Sequence, residues 1–173
     1  MIEIRAITRE NQADLNLKND PFQMPGRLIP SLKEGVWEYR VEHFEAPRSL
    51  CFPDENYDYE QCAKDGFILG AYEDERCLGI GIFRNTYWKY CYLSDLKVCL
   101  EARRKGVGKA LMDAGMAEAQ ARGYHGIYLH AQDDNLNVCL FYLACGFRIG
   151  GFDNQIYNGT SQEGKADIIF YKQ

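Results

Sequence analysis

The stretch Leu96-Lys-Val-Cys-Leu-Glu-Ala-Arg-Arg-Lys-Gly-Val-Gly-Lys-Ala-Leu111 decides the fold. It reads as an apolar strand end, then a basic turn closing on Gly106-Val-Gly108, then the start of an amphipathic helix. Such a turn presents several backbone N–H groups at a helix N-terminus, where the partial positive charge favours phosphate oxygens. Arg103, Arg104, Lys105 and Lys109 add full charges at the same place, and Gly106 and Gly108 let a ligand approach the backbone. The spacing excludes a P-loop, because Gly108-Lys109 is followed by Ala110 and no glycine stands five residues before Gly108. It also excludes the dinucleotide fingerprint, which needs a third glycine where Leu111 stands. What remains is Arg103-x-x-Gly106-x-Gly108, a turn suited to a phosphate-bearing cofactor.

A second block follows: Asn135-Leu-Asn-Val-Cys-Leu-Phe-Tyr142-Leu-Ala-Cys-Gly146-Phe147. Leu136, Cys139, Leu140 and Leu143 recur at helical spacing, and Gly146 is a helix stop. The two blocks, in this order, resemble the acyl-CoA turn and the Asn…Phe-Tyr…Gly-Phe block of the GNAT superfamily of N-acetyltransferases. The resemblance implies an α+β GNAT fold, with a central, mostly antiparallel twisted sheet, helices on both faces and a splayed central strand. It implies acetyl-CoA as cosubstrate and no metal. The diphosphate would lie on Arg103, Arg104, Lys105, Gly106, Val107, Gly108 and Lys109, and the pantetheine arm on Asn135. Leu96, Lys97 and Val98 match the bulged strand end, with the Val98 amide facing the thioester oxygen, and Tyr142 matches the general acid.

Four further segments, Pro21-Phe-Gln-Met-Pro-Gly-Arg-Leu-Ile-Pro30, Phe44-Glu-Ala-Pro47, Tyr92-Leu-Ser-Asp-Leu-Lys-Val98 and Gln132-Asp-Asp-Asn135, make most of the chain similar to streptothricin acetyltransferases. Those GNAT members acetylate the β-lysine amine of an aminoglycoside-like antibiotic. Two positions depart from their pattern. Ser94 stands where they usually carry an acid before Asp95, and His130 stands where they carry Glu.

Composition fits this reading. With 173 residues, 46% of them apolar, the chain suits a single domain, residues 1–173, with one core. There is no apolar run of membrane-spanning length, and the start Met1-Ile-Glu-Ile lacks a signal-peptide pattern. The seven cysteines include no Cys-x-x-Cys pair and fit free thiols in a reducing cytoplasm. A net charge of −5 argues against a broad nucleic-acid face. Charge is split between a basic 97–109 region and an acidic middle of Asp54, Glu55, Asp58, Glu60, Asp65, Glu73, Asp74 and Glu75, which suits an anionic cofactor and a cationic substrate.

Alternation predicts strands at 2–7, 37–44, 67–72, 77–83, 87–98 and 126–131, and a closing pair at 148–157 and 165–171. Helices are predicted at 8–17, capped by Thr8, at 55–64 and at 107–122, the last with Val107, Ala110, Leu111, Ala114, Ala117 and Ala121 as its apolar stripe. A further helix follows Asn135. Three prolines and a glycine in 19–30 predict an irregular, substrate-facing segment.

Acetyl transfer to an amine requires removal of an amine proton, stabilisation of the thioester oxygen and protonation of the leaving thiolate. Tyr142, with a phenol pKa of about 10, is matched to the last task. Asp95 lies on the central strand and is taken as catalytic, although strict alternation would send Ser94 and Asp95 to opposite faces. His130 is a further candidate base. No His pairs with Cys139 or Cys145 in the sequence, so direct transfer is preferred to an acetyl-enzyme. The acceptor is expected to be a small cationic primary amine. A protein lysine or N-terminal acceptor and a non-catalytic acyl-CoA sensor stay open, as does a homodimer.

Overall fold

The computed structural model describes residues 1–173. In chain order the strands are β1 (Ile2–Ala6), β2 (Phe22–Lys33), β3 (Val36–Leu50), β4 (Gly66–Glu73), β5 (Arg76–Arg84), β6 (Tyr90–Val98), β7 (Gly126–Gln132), β8 (Arg148–Asp153) and β9 (Asp167–Lys172). The α-helices are α1 (Tyr59–Asp65), α2 (Val107–Ala121) and α3 (Leu136–Ala144), and 3-10 segments cover Arg9–Asn16 and Leu100–Ala102. None is long and apolar enough to cross a membrane. Two units can be distinguished, one of Met1–Pro21, Cys51–Ile127 and Gln173, the other of Phe22–Leu50 and Tyr128–Lys172.

The first unit contains the strand order β1-β4-β5-β6, each neighbour antiparallel. One face of it, with Ile68, Tyr72, Ile80 and Ile82, packs on Leu15 and Cys62. The other, with Ala71 and Leu78, packs on Val107 and Leu111 of α2. Leu78 and Ile80 lie on opposite faces despite their even spacing, because the β4–β5 register steps from Ala71↔Gly79 to Tyr72↔Cys77 and leaves Leu78 as the extra residue of a bulge. A second bulge lies in β6, where Ile82 pairs Asp95 but Phe83 pairs Leu93, leaving Ser94 unpaired in the ladder. The strict alternation assumed for Ser94 and Asp95 therefore does not apply there. Asp95 and Lys97, beyond the bulge, share one face, and Leu96 and Val98 pack with the α2 cluster on the other.

The second unit holds the order β7-β9-β8, with β8 and β9 antiparallel, and the separate ribbon β2–β3, on which α3 packs through β2. Segment 21–30 is thus mostly strand, against the expectation of irregular chain. Each strand of a two-stranded ribbon has one unpaired edge, so a proline's missing N–H costs little there. Pro25 falls at the register shift between Met24 and Gly26, and Pro30 pairs with Tyr39. Glu34 and Gly35, both at positive φ, make the two-residue turn.

Two helices differ in detail from the spacing. The helix predicted at 55–64 forms only from Tyr59, where Asp58 caps it by accepting from the Gln61 N–H. Helix α2 keeps its predicted start but is rotated: Met112, Gly115, Met116 and Ala119 are buried, while Ala117 and Ala121 are exposed. Gly115 explains the rotation, since a methyl group there would overlap the ring of Phe83. That ring is fully buried and stacked on Phe67 at 4.6 Å. Gly115→Ala gains about 1 kcal/mol of helix propensity and loses about 1–3 kcal/mol to overpacking. The expected outcome is a thermal midpoint lowered by a few degrees, and an unchanged or raised midpoint would show that the ring has room.

Candidate active site

In the first unit, β6 leads through Leu100–Ala102 into the basic turn. Arg104 (φ 59) and Gly106 (φ 85) both adopt the left-handed region, which only glycine enters without strain. Gly106 is the N-cap of α2 and has no side chain to cap it, and the first helical bond runs from the Ala110 N–H to the Gly106 carbonyl. The N–H groups of Val107, Gly108 and Lys109 consequently have no acceptor within the helix. A Cβ at Gly106 would meet nothing within 4 Å, so the space above the turn is open. Arg104 and Lys105 are exposed beside it, whereas Val107 is a core residue that offers a ligand only its backbone. Arg103 is spent differently: its guanidinium donates to the carbonyls of Val98 (3.0 Å), Pro21 (2.7 Å) and Asp20 (3.2 Å), and so braces the turn. Lys109 pairs with Asp113 one turn on.

Asp95 accepts a hydrogen bond from the Tyr57 hydroxyl at 3.0 Å. Burial pushes its carboxyl above the ordinary aspartate value, opposed by the Lys97 charge and the Tyr57 bond. Burial first, and then the charge and bond of Asp95, drive the Tyr57 phenol well above its usual range. Lys97 is buried and donates to Glu55 at 2.6 Å and to the Leu17 carbonyl at 2.8 Å. Burial pushes Glu55 up, but the Lys97 bond, a backbone bond, the Lys97 charge and the Asn19 bond together bring it below the usual glutamate value.

In the second unit, Tyr142 is buried in α3 with its ring against Phe147 (5.6 Å) and Phe170 (5.9 Å). Asn135 sits at the α3 N-cap, yet its side chain makes no cap bond, and its Oδ1 is buried without a partner. A buried amide oxygen in that state needs a donor, which an amide-bearing ligand would supply. Leu140 and Leu143, expected on the apolar stripe, are exposed and half-buried, and Tyr142 takes the buried position instead. His130 approaches the buried Asp167 at 3.4 Å, and the other Asp167 oxygen accepts from the Tyr157 hydroxyl at 2.7 Å. Burial and Asp167 push that phenol up to about 12. A pocket of about 390 Å³ in this unit is lined by Arg27, Pro30, Asp133, Phe152, Asn158 and Lys165.

In the first unit, the open donors at the α2 N-terminus and an adjacent pair of exposed cations fit a phosphate group; in the second, the orphan oxygen of Asn135 fits an amide donor. Sequence reasoning overlooked Tyr57, Glu55, Asp167 and Tyr157 as partners of the chosen residues. Tyr57 is 38 residues from Asp95 and Asp167 is 37 from His130, beyond the reach of any local pattern.

A carboxyl whose folded pKa is raised stabilises the fold fully only below its unfolded pKa, so ionised Asp95 opposes folding at neutral pH. Asp95→Asn is expected to raise the thermal midpoint at pH 7, with the advantage shrinking as acidification protonates the wild-type carboxyl. A midpoint lowered at pH 7 would show that the ionised carboxylate is instead net stabilising.

The sequence pattern of the acetyltransferase (GNAT) family matches residues 33–147. Streptothricin acetyltransferase A of Bacillus subtilis (strain 168) is 31% identical over 169 residues, which cover 97% of this chain and 98% of that protein. The 1.6 Å crystal structure of a Bacillus anthracis str. Ames protein, assigned as a streptothricin acetyltransferase and in complex with acetyl coenzyme A, is 28% identical with a TM-score of 0.87, over 99% of this chain and 97% of that one. A nourseothricin acetyltransferase shares the fold, with a TM-score of 0.80 at 22% identity over 98% of this chain and 96% of that one. The chain therefore belongs to the acetyltransferase (GNAT) family, and its activity is acetyl-CoA-dependent N-acetyl transfer.

Proposed function

We propose that the acceptor is a primary amine of a streptothricin-type antibiotic and that the protein acts in resistance. The observation that carries this reading is the end-to-end match to streptothricin acetyltransferase A, which includes the β2–β3 ribbon as well as the shared cofactor blocks. Acetyl-CoA and the seven free thiols suit a cytoplasmic site of action, and a homodimer fits the superfamily.

The proposed roles are those that the resemblance to the family implies for each residue. The N–H groups of Val107, Gly108 and Lys109, with Arg104 and Lys105, hold the diphosphate, and Arg103 braces their turn. Asn135 Oδ1 accepts from a pantetheine amide. Leu96, Lys97 and Val98 supply strand backbone, with the Val98 N–H bonding the thioester oxygen as negative charge builds on it. Asp95 removes the proton from the attacking amine, and Tyr142 protonates the sulfur as the new C–N bond replaces the C–S bond. Acetyl-CoA supplies the activated acetyl group.

The test is CoA-thiol release by purified protein with streptothricin, spermidine, free lysine and a lysine-bearing peptide. Rapid release with streptothricin, and a single acetyl mass increment on it, is the expected result. Turnover only on another amine would move the substrate, and silence on all four with acetyl-CoA still bound would favour a sensor. Tyr142→Phe should lower kcat at least about tenfold with little change in KM for acetyl-CoA. An unchanged kcat would remove Tyr142 from the chemistry.

A further inference from the structure

We propose that Lys97 is a positioning residue for Asp95, and that the buried Glu55–Lys97 pair sets how much of the base is ionised. The inference rests on the reading of Asp95 as the base. Lys97 follows Asp95 by two residues beyond the Ser94 bulge, so the two side chains emerge on the same face of β6. Its side chain is 7% exposed, and its ammonium is fixed from two directions, by Glu55 Oε2 at 2.6 Å and by the Leu17 carbonyl at 2.8 Å. Glu55 is held in turn by the Asn19 side-chain amide at 2.9 Å. Tyr57, two residues after Glu55, donates to Asp95 Oδ2 and is anchored by its own backbone, whose N–H and carbonyl bond the Asn16 side chain at 2.7 and 3.1 Å. One crossing segment, 55–57, thus brings the counter-ion of Lys97 and the hydrogen-bond donor of Asp95 to the same place.

The electrostatic consequence has a definite sign. A buried carboxylate is disfavoured by desolvation, and a fixed cation on the same face restores its charged form. Lys97 acts on Asp95 in that sense, Glu55 acts against it, and the Tyr57 bond favours the carboxylate; these are the charged or titratable groups that bear on Asp95. A general base must be ionised to accept the amine proton, so the acid limb of kcat/KM reports its titration in the free enzyme. Removing Lys97 leaves Asp95 beside an unpaired Glu55. Removing the Glu55 charge leaves Asp95 as the nearest anion for Lys97. The two substitutions therefore push the base in opposite directions, which loss of a structural clamp would not do.

The experiment is the pH profile of kcat/KM for the full chain with acetyl-CoA and a free amine that the wild type acetylates, in the wild type and in Lys97→Met, Glu55→Gln and Asp95→Asn. The expected result is an acid limb moved up by about one pH unit or more in Lys97→Met, moved down in Glu55→Gln, and abolished in Asp95→Asn. Shifts in the same direction, or none, with the limb still abolished by Asp95→Asn, would overturn the role of Lys97 and leave the base in place. A limb that survives Asp95→Asn would overturn the base assignment, and the role of Lys97 with it. Should Lys97→Met fail to fold, Glu55→Gln decides alone, since a limb that does not fall in pH overturns the proposal.

Discussion

A buried ammonium cannot be left unpaired. Desolvating the Lys97 charge costs several kcal/mol unless it is returned by an anion and by hydrogen bonds. That requirement draws Glu55 and the Leu17 carbonyl onto β6, and with them the two chain passages that leave the first unit at Pro21 and re-enter it at Cys51. Asn19 completes the join by bonding Asp54, the Pro53 carbonyl and Glu55. Within the first unit, these two passages are therefore joined by polar bonds gathered around one charge, beside the apolar packing of Leu17 and Tyr57 on the core.

The basic turn obeys a different constraint, that of backbone conformation. The sequence presents it as a cluster of cations, yet Arg103 is turned onto three carbonyls and Lys109 onto Asp113. What remains for an anion is two exposed side chains and the N–H groups released by the left-handed residues at Arg104 and Gly106. Arg104 in that region is strained by about 1–2 kcal/mol relative to glycine. Its three-bond neighbour Arg103 supplies the contacts that hold the strained turn in shape, a role Lys could not fill with the same planar fork.

Most of the fold was legible because it rests on local periodicity: the β4–β5 hairpin, the start of α2 and α3, and the β8–β9 pair all lie within a residue or a few of their expected places. The failures have specific causes. Segment 21–30 looked irregular because proline counts against strands in general, and only the unpaired edges of a ribbon lift that penalty. The face of α2 was misplaced because alanines were weighed as apolar while Gly115 was ignored, and it is Gly115 that admits the Phe83 ring. The candidate site was legible as two motifs and opaque in its support. Nothing local in Tyr57 or Asp167 marks them as partners of Asp95 and His130, and the Ser94 bulge, which breaks the alternation between Ser94 and Asp95, has no sequence signature.

Counting charges also misled in one respect. The acidic middle looked like a surface prepared for a cation, but its members are largely committed. Asp54 accepts from the Asn19 N–H, Glu55 pairs with Lys97, Asp58 caps α1, Asp65 holds Gln61, and Glu60, Glu73 and Glu75 meet Arg9, the N-terminus and Arg5. The exposed ion pairs among them add at most about 1 kcal/mol each to stability, yet each of those cations locally offsets the field that its carboxylate would project. Over distances beyond about 8 Å, physiological salt screens much of what remains of the −5 net charge. Discrimination for a cationic amine must then come from carboxylates within contact distance of it. In the first unit, Asp95 would be such a group under the proposed reading: it has no salt bridge of its own, and the Lys97 charge and the Tyr57 bond work against the burial that disfavours its charge.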